Sequence, residues 1–198
     1  MRQPFKLLYF AGIVGQIIIR MPYERERRQR PMADSRVSGL ERALFGLLSL
    51  AMFGLPALYA ATRRLDFADY PLAPESRRRL GRLGAALLAA SLWLFWRSHR
   101  DLDANWSPSL EIGAGHALVT DGVYRSIRHP MYASYWLWAL AQALLLPNWL
   151  AGGGSLAAFL ALYRLRVPAE ERMMRDHFGA AYEAYAARTG RILPRLRG

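Results

Sequence analysis

Apolar residues gather into five runs, the first four of them separated by charged stretches. The runs are Leu7 to Ile19, Leu44 to Ala61, Leu83 to Trp96, Met131 to Leu146 and Trp149 to Tyr163. A helix crossing hydrocarbon needs about 20 residues, with roughly 17 as the low end. Several runs are shorter, and flanking Arg and Tyr side chains extend them by reaching toward headgroups. The pattern predicts an all-α fold: a polytopic membrane helical bundle of about five transmembrane helices with a C-terminal cytoplasmic helix. The first run lacks a small-x-small cleavage site and leads into "RMPYERERRQR", so it reads as a retained span. The last two runs are joined by the uncharged "LPNW", which predicts a tight helical hairpin with its tip at the far membrane face.

The tail from Pro168 onward reads as a separate helix. Pro168 suits a first-turn position, and Glu170 and Glu171 suit the positive N-terminal end. Phe178, Tyr182 and Tyr185, spaced by four and three, make one aromatic face, and Gly190 and Pro194 close the run. The span from Asp101 to Gly115 reads as a connector. Residues 1–100 are expected to form N-terminal helices and loops. Residues 101–198 carry the hairpin and tail within the same structural unit.

Charge changes the picture by orienting the bundle. Of the 27 basic residues among 198, all but Lys6 are Arg, and the net charge is +12. The arginines sit at the ends of apolar runs, as the positive-inside rule arranges them, so nucleic acid is not expected as a partner. With the N-terminus outside, 18 arginines in the first loop, the third loop and the tail face the cytoplasm, against about 7 basic residues opposite. There is no Cys, hence no disulfide, thiol nucleophile or zinc–thiolate site, and no metal-ligand spacing appears.

Two polar constellations flank the hairpin on the cytoplasmic side. The first is "LVTDGVYRSIRHPMY", Leu118 to Tyr132. Pro130 fixes its own φ and biases His129 away from the α region, so a helix starts at Pro130 with His129 off its N-terminus. Unpaired N–H groups and the helix dipole there suit a carboxylate or phosphate. Tyr124 and Arg128 lie on the approach, and Tyr132 lies in the first turn. An interfacial belt explains the arginines alone but does not call for His-Pro at a helix start. The second constellation is "YRLRVPAEERMM", in which Arg166 and Glu170 stand four apart across Pro168. Alone it reads as a salt-bridged helix start at the membrane surface.

Taken together, "HALVTDGVYRSIRHPMY" and "EERMMRDHFGAAYEAYAARTGRILP" resemble the isoprenylcysteine carboxyl methyltransferase family, which groups with the phospholipid methyltransferases of membranes. The resemblance runs from about Trp106 to Pro194. It implies an integral-membrane methyltransferase using S-adenosyl-L-methionine, with S-adenosyl-L-homocysteine as product, and makes 101–198 the cofactor-binding catalytic core. It implies that His116, Ala117 (by its backbone), Leu118, Val119, Tyr124, His129, Pro130, Met131, Tyr132 and Glu170 contact the cofactor. Arg166 is implied beside the acceptor, as both catalytic and substrate-binding residue.

The residues can serve such a ligand. Glu170 can hold an ammonium, and His129 with the helix N-terminus can hold a carboxylate. Leu118, Val119 and the tyrosines can enclose an adenine, and an aromatic face suits a sulfonium. Arg166 would aim an acceptor carboxylate, which needs no base. The expected reaction is O-methylation of a lipidic or isoprenylcysteine-like acid arriving from the bilayer. Phospholipid amine N-methylation, small-thiol S-methylation and a non-enzymatic membrane scaffold are the alternatives. Mid-span positions are apolar apart from Gln142, Gly54 and Pro56, which argues against transport. The Ala- and Arg-rich composition suggests a bacterial inner (cell) membrane with the catalytic face cytoplasmic. His99 is expected at the interface and His177 on the solvent face of the tail. Trp93, Trp96, Trp136, Trp138 and Trp149 are read as interfacial anchors or lipid-facing packing. Gly152 to Gly154 lack the Lys-Ser/Thr of a phosphate loop and permit close helix approach.

Overall fold

The computed structural model describes residues 3–29, 32–35, 38–107, 110–113 and 116–195. The first apolar run lies within α1 (Gln3–Arg27). The second forms α2 (Gly39–Ser49), a π-helical turn over Leu50–Gly54 and α3 (Leu55–Ala61), which follow one another as one rod. The third lies in α4 (Pro74–Leu102), the fourth is α5 (Pro130–Leu145), and the fifth enters α6 (Gly154–Phe178). A short α7 (Ala180–Arg188) completes the set. The helical architecture agrees with the expectation. By length and composition, Pro4–Arg27 and Gly39–Ala61 are apolar enough to cross a membrane. Exposed Leu7, Val14, Ile17 and Ile18 on α1, and Leu47, Leu50 and Phe53 on the second rod, suit lipid contact.

A short ribbon accompanies the helices: β1 (Met32–Ser35) in the first loop pairs antiparallel with β2 (Glu111–Gly113) in the connector, with a register shift between Met32 and Asp34. Four expectations are corrected. Pro168 does not begin a helix but lies inside α6, which runs from the hairpin into the tail without a break. The break comes at Gly179, whose φ of 53° is a left-handed conformation that only glycine adopts cheaply, so Phe178 is separated from Tyr182 and Tyr185. His99 is no interface residue. It is fully buried among Tyr23, Phe95 and Trp106, and burial, its largest influence, lowers its pKa to about 4, so a neutral imidazole packs as an aromatic ring. Trp138 likewise lies fully buried against Tyr9, whereas Trp93, Trp96 and Trp149 are exposed as expected.

Close packing of α4 on α5 forms the spine. A methyl group at Gly84 would stand 3.0 Å from Leu144 and Leu145, so only a glycine lets the two backbones meet there. Ser91 Oγ donates to the Ser134 carbonyl at 2.8 Å across the same seam. The core gathers Tyr9, Leu48, Met52, Tyr59, Leu88, Trp138, Leu145, Phe159 and Leu162 from all five long elements. The amide within α5 is fully satisfied. Gln142 donates to the Ala51 carbonyl at 2.8 Å and the Ala151 carbonyl at 2.7 Å, and its Oε1 lies 2.9 Å from the Tyr9 hydroxyl. Ala51 lies in the π turn, where the widened ladder leaves a carbonyl for a partner on another helix.

The two ends of the bundle differ in chemistry. At the hairpin tip, buried Asn148 donates to the Leu65 carbonyl at 2.6 Å and to Asp69 at 3.1 Å, and accepts from Leu150 and Ala151. Gly152 packs so closely that a Cβ would stand 2.0 Å from the Leu146 carbonyl oxygen. At the other end, the β1–β2 pair joins the first loop to the connector, and the segment after α7 lies along the Arg-His-Pro stretch.

Candidate active site

Three segments distant in sequence converge at that second end. Pro130 starts α5, leaving His129 at its N-cap with φ −125° and ψ 57°. The preceding residues do not coil back. They run beside the tail: Arg128 N–H donates to the Gly190 carbonyl at 2.9 Å, His129 N–H to the Arg191 carbonyl at 2.8 Å, and Gly190 N–H to the Ser126 carbonyl at 3.2 Å. Upstream, Gly122 has φ 58°, and any Cβ there would strike the Asp101 carboxylate, which accepts the Val123 N–H at 2.8 Å. That glycine sets the turn holding Tyr124, whose carbonyl accepts the Tyr185 hydroxyl at 2.8 Å.

The His129 imidazole is clamped by two carboxylates, with Nδ1 3.6 Å from Glu170 and Nε2 3.2 Å from Glu171. Burial opposes its charge, but hydrogen bonding to the two glutamates outweighs burial and raises its pKa. Burial also opposes charge on Glu170. His129 and Arg166 more than compensate, and its pKa falls to about 2. Glu170 further accepts the Tyr132 hydroxyl at 2.6 Å while staying about a quarter exposed. Thus the ring already has two anionic partners, whereas the sequence reading aimed it at a ligand carboxylate.

Glu171 was the residue that the sequence reading passed over. It is only 1% exposed, and it meets Arg128 at 2.8 Å, Arg191 at 2.9 Å, Arg175 at 3.6 Å and His129 at 3.2 Å. Hydrogen bonds from His129, Arg191 and Arg128 overcome burial and hold it ionised. Glu170 and Glu171 sit about 100° apart around α6. One therefore faces the clamp and the other the cavity, a division that a Glu pair does not reveal. The signal available was Arg191 in "TGRILP", an arginine in a segment that pairs with the Arg-His-Pro strand.

A cavity of about 230 Å³ opens on this network. His116, Ala117, Leu118, Val119, Tyr124, His129, Pro130, Met131, Tyr132, Arg166 and Glu170 all line it, so every residue singled out from the sequence meets there. Residues that the sequence reading did not single out line it too: Asn105, Trp106, Met173 and Met174 near the connector, and Gln16, Arg20, Phe45, Ser49, Met52 and Phe159 from the apolar helices. Asn105 fixes the connector by accepting the Ala117 N–H at 2.7 Å. Burial lowers the His116 pKa, with a smaller lowering from the neighbouring His177. Arg166 and Glu170 stay on one face of the continuous α6, 3.8 Å apart, despite Pro168 between them. His177 is exposed, as expected.

The cavity suits a polar, cationic small molecule. Trp106 Nε1 and the Tyr124 hydroxyl are buried against it without a hydrogen-bond partner among the described residues, and such donors call for an occupant. Glu170 supplies an anion at the wall. The described residues hold no His, Asp and Glu cluster able to bind a metal.

Comparisons with known proteins agree with the resemblance. Residues 83–176 match the model of the isoprenylcysteine carboxyl methyltransferase (ICMT) family, beginning further upstream than the motifs and ending within the tail, before Phe178. A probable protein-S-isoprenylcysteine O-methyltransferase of Oryza sativa subsp. indica is 40% identical over 82 residues, 40% of this chain and 41% of the relative. The protein-S-isoprenylcysteine O-methyltransferase of Schizosaccharomyces pombe is 35% identical over 82 residues, covering 40% of this chain and 34% of its own length. The human one is 32% identical over 83 residues, covering 42% and 29%. The aligned stretch thus spans about two fifths or less of these relatives. Their organisms are eukaryotic, so they lend no support to a bacterial inner membrane. A solved eukaryotic intramembrane Ras methyltransferase ICMT superposes with TM-score 0.52 at 22% identity, over 77% of this chain and 50% of that one. That likeness is one of fold, and among the described residues Pro4–Arg27 and Gly39–Ala61 are long and apolar enough to cross a membrane. Residues 83–176 are therefore similar in sequence to the isoprenylcysteine carboxyl methyltransferase family, and the chain shares the fold of a solved protein of that description.

Proposed function

We propose that the protein is an integral-membrane methyltransferase that uses S-adenosyl-L-methionine to methylate the carboxylate of a lipidic or isoprenylcysteine-like acceptor. The observation that carries this reading is the cavity, polar and aromatic toward the connector and tail, apolar where Phe45, Leu48, Met52 and Phe159 line it, with Arg166 at its wall. The cofactor supplies an activated methyl group on a sulfonium. The chain's task is to bind and align, which can contribute about 7–11 kcal/mol to the rate.

Each residue has a share in that task. Glu170 holds the cofactor's ammonium, its charge secured by His129 and Tyr132. Leu118, Val119 and Tyr124 wall the adenine, and the His116–Val119 backbone offers amide contacts. His129, Pro130 and Met131 shape the floor and fix Glu170. The α7 tyrosines, Tyr182 and Tyr185, roof the site, and Arg166 receives the acceptor's carboxylate. Phe45, Met52 and Phe159 accept its apolar portion, which reaches the site from the bilayer. The five apolar runs are the five spans, with the site at the cytoplasmic face. Pairing of the first loop with the connector, and of the tail with the Arg-His-Pro stretch, supports that arrangement by gathering all three predicted cytoplasmic segments at one end.

Calorimetric titration of the detergent-solubilised protein with S-adenosyl-L-methionine tests the reading. Saturable binding, lost in Glu170→Gln, and cofactor-dependent transfer of labelled methyl to S-farnesyl-cysteine are expected. Absence of cofactor binding to the folded wild-type protein removes it.

A further inference from the structure

Glu41 lies in the first turn of α2, outside every motif described above. It is buried, and its carboxylate stands 3.0 Å from Nη1 of Arg166. Beyond that ion pair, neither of its oxygens accepts a hydrogen bond among the described residues. A buried carboxylate with one cationic partner and no donors recovers little of its desolvation cost, so its seat is a weak one. Arg166 itself is well anchored. Its guanidinium lies 4.8 Å over the Phe45 ring, one turn along α2, and 3.8 Å from Glu170. The cavity's arginine thus carries an internal carboxylate on it.

A second seat for that carboxylate is built into the same helical turn. Ser38 is the N-cap of α2, and its Oγ accepts the Glu41 N–H at 3.0 Å. Ser38-Gly39-Leu40-Glu41 has the spacing of a capping box, in which the glutamate returns to the N–H of the cap residue. Only the serine half of the box is made. The glutamate half is open because Glu41 is turned to Arg166. The positive end of α2 favours a carboxylate in either orientation.

We propose that Glu41 is a specificity-determining residue: it occupies the place of an acceptor carboxylate on Arg166 and yields it by folding back onto the α2 N-cap when an acidic amphiphile binds. The proposal rests on the acid-acceptor reading above. An acid brings the charge that Arg166 loses when Glu41 leaves. The methyl ester formed in the reaction brings none, so Glu41 returns to Arg166 and the ester is released. One residue thereby separates substrate from product by charge alone.

The test compares binding of N-acetyl-S-farnesyl-cysteine and its methyl ester to wild type, Glu41→Gln and Glu41→Met in detergent, read as ligand-induced shifts in Tm. S-adenosyl-L-methionine titrations run on the same preparations. If Arg166 is clear of Glu41 about one-tenth of the time, both variants bind the acid roughly tenfold more tightly, while the ester changes far less. Unchanged or weaker acid binding in both variants, or equal tightening of acid and ester, overturns the proposal. Loss of cofactor binding in wild type defeats the functional reading instead, and the acid arm still reports on Glu41. Glu41→Met keeps the test alive where a glutamine amide itself bonds Arg166.

Discussion

Two buried polar networks hold opposite ends of this bundle, and they are built on different terms. Around Asn148 every partner is neutral or a backbone group apart from Asp69, and both the amide nitrogen and the amide oxygen are used. Around Glu171 the members are charged or titratable: three arginines, the His129 ring and a second carboxylate at the edge. The first network is closed and only rigidifies. The second is closed at Glu171 but left open at Glu170, Trp106 and Tyr124, where a ligand can complete it.

The sharpest way to break this contrast is Glu171→Ala. Removing the hub strands Arg128, Arg191 and His129, and breaking a buried ion pair from one side costs about 3–5 kcal/mol. A large fall in Tm and loss of cofactor binding are expected together. Asn148→Ala comes next. It leaves buried groups unpaired at about 1–3 kcal/mol each, so Tm falls, but calorimetry should return the wild-type affinity for S-adenosyl-L-methionine. Equal loss of affinity in the two variants would erase the distinction between the ends. Glu170→Gln should weaken that affinity by about 1.5–3 kcal/mol, the worth of a hydrogen bond to a charged group, with a fall in Tm smaller than that of Glu171→Ala because Glu170 is partly exposed.

The pH dependence sharpens the same point. Glu170 is lowered from 4.5 to about 2, so its contribution is complete above pH 4.5 and is lost as pH falls toward 2. Glu171 is lowered as well and acts in the same direction. His129 is raised, so its contribution is complete below pH 6.5 and is lost as pH climbs through its folded value. Wild type and Asn148→Ala should share this profile in thermal melts, because Asn148 does not titrate, while Glu171→Ala should flatten it. The smallest effect belongs to exposed His177. His177→Ala should move Tm by no more than about 0.5 kcal/mol of stability.

Much of the site end was legible because its chemistry is local. His129-Pro130 announces a helix start, and Arg166 and Glu170 lie one helical turn apart whether or not a proline intervenes. What stayed hidden depends on long-range partners. Glu41 looks like an ordinary capping residue until Arg166 arrives from 125 positions away (166 − 41). Glu171 looks equivalent to its neighbour until Arg128 and Arg191 fold onto it. His99 has the polarity of an interface residue, and only the convergence of Tyr23, Phe95 and Trp106 makes it core. The helix break at Gly179 was masked by an aromatic spacing that fits one unbroken helix equally well.

The π-helical turn at Leu50–Gly54 acts as a gearbox for the second rod. It is equivalent to one residue slipped into an α-helix, and each residue advances the helix by about 100°. Deleting one residue from it would leave Tyr59 facing its present neighbours but rotate Phe45 and Glu41 off the cavity by that angle. The phase between the half of the rod that carries Tyr59 and the half that carries Glu41 and Phe45 is thus stored in five residues, two of which, Met52 and Phe53, line the cavity themselves.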